Sequence, residues 1–239
     1  MHSGLEFGVV LSGRVVRHCR AWRGELERGQ VWFCNLWERH GWAVPAGRGR
    51  HLALVVAPSL LLSRFPEAPH LDWTAPFAAP PESRPQARGE QRSRILRNFS
   101  RLEHALTAEA PYRETALRLF LFESLLVLLE GWSPPRQARR AVRPELYEAV
   151  DRGARLAAAS PRGLTARAVA QSCGLNARDF GRLFRELTGT TFREFAARAR
   201  LSRGEEEATA GRPPDAAVGS GRGSTRSSGG SGGADDSRP

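Results

Sequence analysis

Residues 164–203 carry helix start and stop signals that constrain the fold more than any other part of the chain. Thr165 can cap the short pattern "TARAVAQSC", and Gly174 suits the left-handed position that ends a helix. Asn176 can cap the next pattern, which Gly189 stops. Because a turn of only two residues separates these patterns, we predict a helix-turn-helix.

The second of these helices, "NARDFGRLFRELTG", has two distinct faces. Side chains three and four residues apart share a face of a helix. The apolar face comprises Phe180, Leu183, Phe184 and Leu187, and the basic face comprises Arg178, Arg182 and Arg185. In a helix-turn-helix the second helix enters the major groove, where arginine can bind guanine through two hydrogen bonds. A merely solvated basic face would show the same spacing, so the pattern alone leaves both interpretations open.

The basic charge of the chain is concentrated around this segment. The chain has 36 basic residues, all of them arginine, against 25 acidic ones, for a net charge of +11. Residues 139–203 hold 14 arginines and 6 acidic residues, which places +8 of this charge in one segment. A basic segment of that size favours an anionic partner, and double-stranded DNA is the first candidate.

The amino-terminal part has a different pattern. Short apolar runs alternate with Gly, Arg and Pro between residues 5 and 62, and five of the six tryptophans precede residue 74, which predicts a small antiparallel barrel or sandwich. The Pro- and Ala-rich residues 68–89 are interpreted as a loop or linker. Two helical patterns follow, and the second is apolar nearly all round, which favours burial or subunit contact in a homodimer.

These patterns predict an α+β chain in four parts. They are an antiparallel β-barrel at residues 1–80, dimerisation or linker helices at 89–132, an all-α helix-turn-helix domain at 139–203 and a disordered Gly/Ser-rich tail at 204–239. No apolar run is long enough for a membrane span and no secretory signal is recognised, so we expect no membrane partner and a cytoplasmic location. The three cysteines have no metal-type spacing and are expected to be buried thiols.

The helix-turn-helix segment resembles the AraC/XylS family of transcription regulators over about 40 residues. The family pattern is matched at Ala170, Gly174, Leu175, Phe180, Arg182, Phe184, Arg185, Gly189, Phe192, Phe195, Arg200 and Leu201. The resemblance implies that Arg178 and Arg182 contact bases and that Arg185, with Thr190 and Thr191, contacts phosphates. Asn176 at the start of the helix joins this DNA-binding set. Gly181 departs from the family, which usually has a longer side chain there.

The amino-terminal strands resemble the cupin-type sensor arm of many such regulators. His2, Glu6 and Gly13 keep the spacing H-x3-E-x6-G, and Gly29 and His40 keep the spacing of the second cupin motif. The second motif's Pro and Gly are replaced, by Asn35 and Trp37. The resemblance implies a small-molecule effector. Aromatic density suggests pocket residues Trp32, Trp37, His40 and Trp42.

No metal, no cofactor and no catalytic residue are expected. A cupin metal site has one more histidine two residues before the position of His2, so His2, Glu6 and His40 would form an incomplete set. We therefore expect His40 to be a pocket or core residue.

The family has two helix-turn-helix units, whereas the sequence becomes low in complexity near Arg203, which motivates the hypothesis of a reading-frame shift there. A naturally disordered tail is the alternative. RNA polymerase is a further candidate partner. Two other functions stay open: a small metal-dependent cupin enzyme with a basic appendage, and an inactive truncated regulator that only dimerises.

Overall fold

The structure is a computed structural model that describes residues 2–45, 49–61, 71–107, 112–135, 144–159 and 164–210. These residues form an α+β protein, as the sequence predicts. The strands are β1 (Leu5–Ser12), β2 (Arg14–Cys19), β3 (Trp22–Glu27), β4 (Val31–Cys34), β5 (His40–Ala43) and β6 (Arg50–Val56). The helices are α1 (Pro58–Leu61), α2 (Ala75–Ala78), α3 (Glu90–Thr107), α4 (Arg113–Leu129), α5 (Pro144–Ala159), α6 (Ala166–Ser172), α7 (Ala177–Thr188) and α8 (Phe192–Ala210).

The strands form two antiparallel sheets of three strands each, in the orders β4-β1-β6 and β3-β2-β5. Within the described residues the two sheets do not close into the expected barrel. The chain passes from one sheet to the other between β1 and β2. There the register with β6 shifts between Val10 and Ser12, and Gly13 has a φ of 68°. Glycine adopts this left-handed conformation without steric cost, so the strand can bend sharply at that point.

Strand β1 is buried on both faces because it lies between the second sheet and the helices. Phe7 stacks on Phe33 of β4 and meets Phe99 of α3 edge to face, with ring centroids 4.8 and 5.0 Å away. Gly8 faces the opposite side, where a Cβ atom would overlap the indole ring of Trp32. The alternation places Glu6 on the same side as Gly8, facing the second sheet.

Helices α3 and α4 pack on each other beside this sheet. Leu121, Leu125 and Leu128 of α4 are buried in the main apolar core, whereas Leu119 is 64% exposed. Among the described helices, none combines the length and apolar character that crossing a membrane requires.

Residues 71–89 differ from the loop or linker that their composition predicts. They form α2 and a 3-10 turn at Pro81–Ser83, and Trp73 and Phe77 are buried in the main core. Three apolar anchors in this segment outweigh its irregular composition, chiefly because the two aromatic rings each bury a large apolar area. The third is Ala87.

The carboxyl-terminal helices also extend further than the sequence pattern indicates. Helix α8 continues to Ala210, so residues 204–210 are helical rather than disordered. The run "EEEATA" consists largely of good helix formers, which explains the extension. The rest of the tail lies outside the described residues. The hypotheses of disorder and of a frame shift depend on that part of the chain.

Candidate functional site

Helices α6 and α7 form the helix-turn-helix unit, and both are capped by the residues that their sequence suggests. The Thr165 hydroxyl accepts a hydrogen bond from the Ala168 amide (3.2 Å), and Asn176 Oδ1 accepts one from the Asp179 amide (2.8 Å). At the other end of α7, Gly189 adopts a φ of 78° and its amide donates to a carbonyl of the last turn. The local signals therefore fix where α7 begins and ends.

The apolar face of α7 fixes its orientation. Phe184 is fully buried, with ring centroids 5.3 Å from Phe192 and 5.4 Å from Phe195 of α8. Phe180 approaches Gly153 of α5 so closely that a Cβ atom there would lie 2.7 Å from its ring. With this face packed against α5, α6 and α8, the opposite face of α7 is turned to solvent.

Arg178, Arg182 and Arg185 all lie on the solvent side of α7 and are exposed. Arg182 is 3.4 Å from carboxylate oxygens of both Asp179 and Glu186, and all three side chains are about half exposed. Such exposed pairs are weak and exchange readily for another anion. Within the part of the chain that the structure describes, Arg178 and Arg185 form no salt bridge. The basic face is therefore available to a ligand.

Asn176, Thr190 and Thr191 occupy capping positions beside this face. The amide of Thr191 and the hydroxyls of Thr190 and Thr191 all donate to Glu194 Oε2, each at 2.9 Å. The hydrogen bond from the Thr191 amide, with those from both hydroxyls, lowers the pKa of Glu194 to about 2. The two threonines thus hold the start of α8, which lies directly after the end of α7.

A second polar site surrounds Glu6 between the two sheets. Glu6 Oε1 accepts hydrogen bonds from Trp32 Nε1 (2.6 Å) and from Arg17 (2.8 Å). Glu6 Oε2 lies 3.0 Å from His2 Nε2 and 3.3 Å from His40 Nε2. Burial raises the pKa of the Glu6 carboxyl, but the hydrogen bonds with both histidines and the charge of Arg17 outweigh burial and hold it well below its usual range.

The hydrogen bonds of the two imidazoles define what this site can hold. His2 Nδ1 lies 3.1 Å from the Gly4 carbonyl oxygen, and His40 Nδ1 lies 2.8 Å from that of Glu38. Since a carbonyl only accepts, each Nδ1 carries the hydrogen. Each Nε2 then either is protonated and pairs with Glu6 or offers a lone pair to a metal ion, an arrangement common among metal-binding histidines.

The donor set therefore fits a small divalent cation, because the three ligand atoms lie within 4.8 Å of one another. The guanidinium of Arg17 beside Glu6 adds positive charge that opposes such a cation.

Three of the four predicted pocket residues, Trp32, His40 and Trp42, lie around Glu6 and His51, whereas the side chain of Trp37 faces elsewhere. Trp32 and His40 both contact Glu6. Trp42 is 53% exposed and packs on His51, with ring centroids 4.6 Å apart. Trp37 faces the carboxyl-terminal helices, where its Nε1 donates to Asp151 (2.8 Å).

A buried ion network that no sequence spacing indicates lies next to the Glu6 site. Glu38 is fully buried, and both of its oxygens accept hydrogen bonds from Arg84 (2.8 and 2.7 Å). Burial raises the pKa of the Glu38 carboxyl, but the charges of Arg84 and Arg20 outweigh burial and lower it. Only the proximity of the turn after β4 to residues 71–89 in the folded chain brings these groups together.

Arg20 connects this network to α7. Its Nε pairs with Glu38, and its Nη2 donates to the carbonyl oxygens of Glu186 (3.1 Å) and Leu187 (3.4 Å) at the carboxyl end of α7. A cation at this end of a helix is favourable because the last carbonyls lack helical partners. The part of the chain that contains β1 to β6, called the β-domain below, therefore contacts α7 directly. Trp37 adds a contact with the ring of Phe195.

The fold of this chain is similar to those of several solved protein structures. No family model matches the chain, and no curated protein sequence does. Among solved structures, ToxT from Vibrio cholerae strain SCE256 with a bound unsaturated fatty acid is similar at a TM-score of 0.55 and 11% identity, covering 90% of this chain and 76% of that one. A further ToxT structure from Vibrio cholerae gives 0.55 at 10% identity, with 89% and 78% covered.

The AraC-like transcriptional activator CuxR is similar at a lower TM-score of 0.43 with 16% identity, covering 86% of this chain and 69% of that one. The two ToxT structures share the α+β fold of this chain, and all of these identities are too low to carry residue roles across.

Proposed function

We propose that this chain is a sequence-specific, ligand-responsive DNA-binding transcription regulator of the AraC type. The observation that carries the proposal is the exposed arginine face of α7. This helix is the second of the helix-turn-helix, and its opposite face is packed against the neighbouring helices. Arg178 and Arg182 would read base edges in the major groove, and Arg185 would contact phosphate. The similarity of fold to AraC-family regulators supports the same conclusion.

Binding to double-stranded DNA at several salt concentrations tests this assignment. Arg185→Ala should weaken binding on all sequences and reduce the slope of log K against log salt by about 0.9. Arg178→Ala should instead lower the preference for the specific site by about 1–3 kcal/mol. Arg94→Ala, which removes an exposed arginine of α3 that pairs with Glu130, is the control. The assignment fails if all three variants bind DNA as the original chain does.

The β-domain would bind the effector and pass its effect to α7. Arg20 and Trp37 support this route, because they connect that domain to the carboxyl-terminal helices. An effector can act only if it binds two arrangements of the chain with different affinities: one in which Arg20 and Trp37 contact the carboxyl-terminal helices, and one in which they do not. The neighbour ToxT was solved with an unsaturated fatty acid, which favours a small organic molecule as the effector class. RNA polymerase stays a proposed partner.

Helices α3 and α4 would pair two chains. Leu119 and Leu126 of α4 are 64% and 48% exposed and lie two turns apart on one face of the helix, which suits an apolar contact between subunits. A single reading helix holds few phosphates, so a dimer would bind DNA more tightly through two linked contacts. Sedimentation of the full chain, with Leu119→Arg as the disrupting variant, measures the oligomeric state.

A second candidate function is a metal-dependent cupin enzyme, which the convergence of His2, Glu6 and His40 favours. Metal analysis of the purified chain distinguishes the two. Stoichiometric metal that is lost in His40→Ala would support the enzyme, whereas a metal-free chain that binds DNA would support the regulator.

A further inference from the structure

Two of the three cysteines meet between the sheets. Cys19 ends β2 and Cys34 ends β4, so they belong to different sheets and are 15 positions apart in the sequence. Both side chains are buried, and their sulfur atoms lie within 4.8 Å of each other. The third, Cys173, follows α6, and its Sγ donates to the carbonyl oxygen of Ala149 (3.5 Å). Their spacing in the sequence does not indicate this proximity, which depends on the packing of the two sheets.

Each sulfur of the pair faces a guanidinium group. Arg84 lies 3.2 Å from Cys19 Sγ, and Arg17 lies 3.3 Å from Cys34 Sγ. Cations beside a thiol favour the thiolate, which is the reactive nucleophile. The hydrogen bond with Cys34 lowers the pKa of Cys19 against the opposing effect of burial, and Arg84 adds to the lowering. The same hydrogen bond, with burial, raises the pKa of Cys34. Cys34 Sγ also lies 3.9 Å from Glu6 Oε1, whose negative charge disfavours a thiolate there, so Cys19 is the nucleophile of the pair.

A small reagent can approach the pair. Cys19 and Cys34 both line a cavity of about 20 Å³, which is room for one molecule of about the size of water. Trp22, Pro81 and Gln86, which are partly exposed, complete its wall. An opening bounded by such side chains suits a small neutral oxidant and excludes bulky ones.

We propose that Cys19 and Cys34 form a redox-sensitive pair that hydrogen peroxide oxidises to an intramolecular disulfide. The Cys19 thiolate attacks one peroxide oxygen, the O–O bond breaks, and the departing hydroxide takes up a proton to leave as water, which yields a sulfenic acid. The Cys34 sulfur then attacks the Cys19 sulfur, the S–OH bond breaks, and water leaves with the thiol proton. The two sulfurs must close from within 4.8 Å to about 2.05 Å, the length of a disulfide bond.

Oxidation would act on the ion network that reaches α7. Arg84 holds Cys19 and Glu38 at once, and Glu38 holds Arg20, which binds the end of α7. A disulfide removes the thiolate partner of Arg84 and moves the Cys19 side chain, so the contact of Arg20 with α7 is the element that oxidation would change. This consequence for DNA binding rests on the proposed function, whereas the thiol chemistry does not.

The test uses the full reduced chain, treated with stoichiometric hydrogen peroxide in the absence of DNA. We expect two of the three thiols to be lost, with a mass decrease of two hydrogens and a single cross-linked peptide pair containing Cys19 and Cys34. In Cys34→Ser, Cys19 should stop at the sulfenic acid, which adds the mass of one oxygen atom to the intact chain. Cys173→Ser is the control and should lose the same two thiols.

Three results would overturn the proposal: three thiols that survive treatment, reaction confined to Cys173, or a disulfide that links two chains. Uptake of a stoichiometric zinc ion that protects both thiols would also overturn it, because it would make the pair a metal site. Because the cross-link is read by peptide mapping of the unaltered chain, the test does not depend on whether a variant folds. DNA binding of the reduced chain separately tests the proposed function.

Discussion

Replacing Glu38 by glutamine removes the charge at the centre of the buried network while nearly preserving side-chain volume. Arg84 would then be buried without its carboxylate, although it would keep the carbonyl oxygens of Ala79 (3.0 Å) and Phe77 (3.3 Å) as acceptors. Breaking one side of a buried ion pair costs about 3–5 kcal/mol. Because the remaining carbonyls compensate in part, we expect the free energy of unfolding to fall by about 3 kcal/mol, at the lower end of that range.

Glu103→Gln is the matched control for this substitution. Glu103 pairs with Arg50 at 2.7 Å, the same distance as the shorter Glu38–Arg84 contact, but these side chains are 43% and 64% exposed. An exposed pair contributes about 0–1 kcal/mol. Urea unfolding of both variants should therefore show a midpoint shift of about 1 M or more for Glu38→Gln and almost none for Glu103→Gln. Equal shifts for the two variants would refute the argument that burial determines the contribution.

The same pair of variants predicts a pH dependence. The folded pKa of Glu38 lies below the ordinary value of 4.5, because the charges of Arg84 and Arg20 outweigh burial. A depressed carboxyl pKa contributes stability that is complete above the unfolded pKa and is lost as the pH falls towards the folded pKa. The difference in unfolding free energy between the original chain and Glu38→Gln should therefore be constant between about pH 6 and 8 and shrink below about pH 4.5.

Three further predictions concern the helix-turn-helix domain. Gly181→Ala should stabilise the chain to thermal unfolding by about 1 kcal/mol, because a Cβ atom there meets nothing within 4 Å beyond its neighbouring residues and the backbone of its own helix, and alanine favours a helix; destabilisation would contradict this. Phe184→Ala should cost about 3–5 kcal/mol in urea unfolding, because the ring is fully buried among three others, and a cost below about 1 kcal/mol would exclude that packing. NMR titration of Glu194 should give a pKa of about 2 that returns towards 4.5 in Thr191→Val. The stabilising effect of the Glu194 carboxylate should be complete above pH 4.5 and lost as the pH falls towards 2.

Local physical signals explain why the carboxyl-terminal helices could be predicted from the sequence. The caps at Asn176 and Gly189 act within one turn of α7, and the apolar spacing of Phe180 and Phe184 determines which face is buried. Such short-range preferences can be recognised without knowledge of the fold. The exposure of Arg178 follows from the same spacing.

The polar networks depend on contacts between distant residues, and no local pattern predicts them. Arg84 and Glu38 are 46 positions apart, and Arg20 and Glu186 are 166 apart. The stretch around Arg84 is rich in Pro and Ala, which favoured a loop or linker, whereas three buried apolar anchors fix it in the core. The cupin-type spacing did identify His2, Glu6 and His40, and the structure brings all three together.

Selection of binding sites from a random double-stranded DNA library tests the central claim most directly. The purified chain and an Arg178→Ala, Arg182→Ala variant would be compared at two salt concentrations, with Arg94→Ala as the control. The account predicts a defined motif for the original chain and for Arg94→Ala, and its loss in the double variant, because α7 reads base edges. Binding without a motif that fades with salt in all three chains would contradict sequence reading and leave only the attraction of a basic surface for DNA.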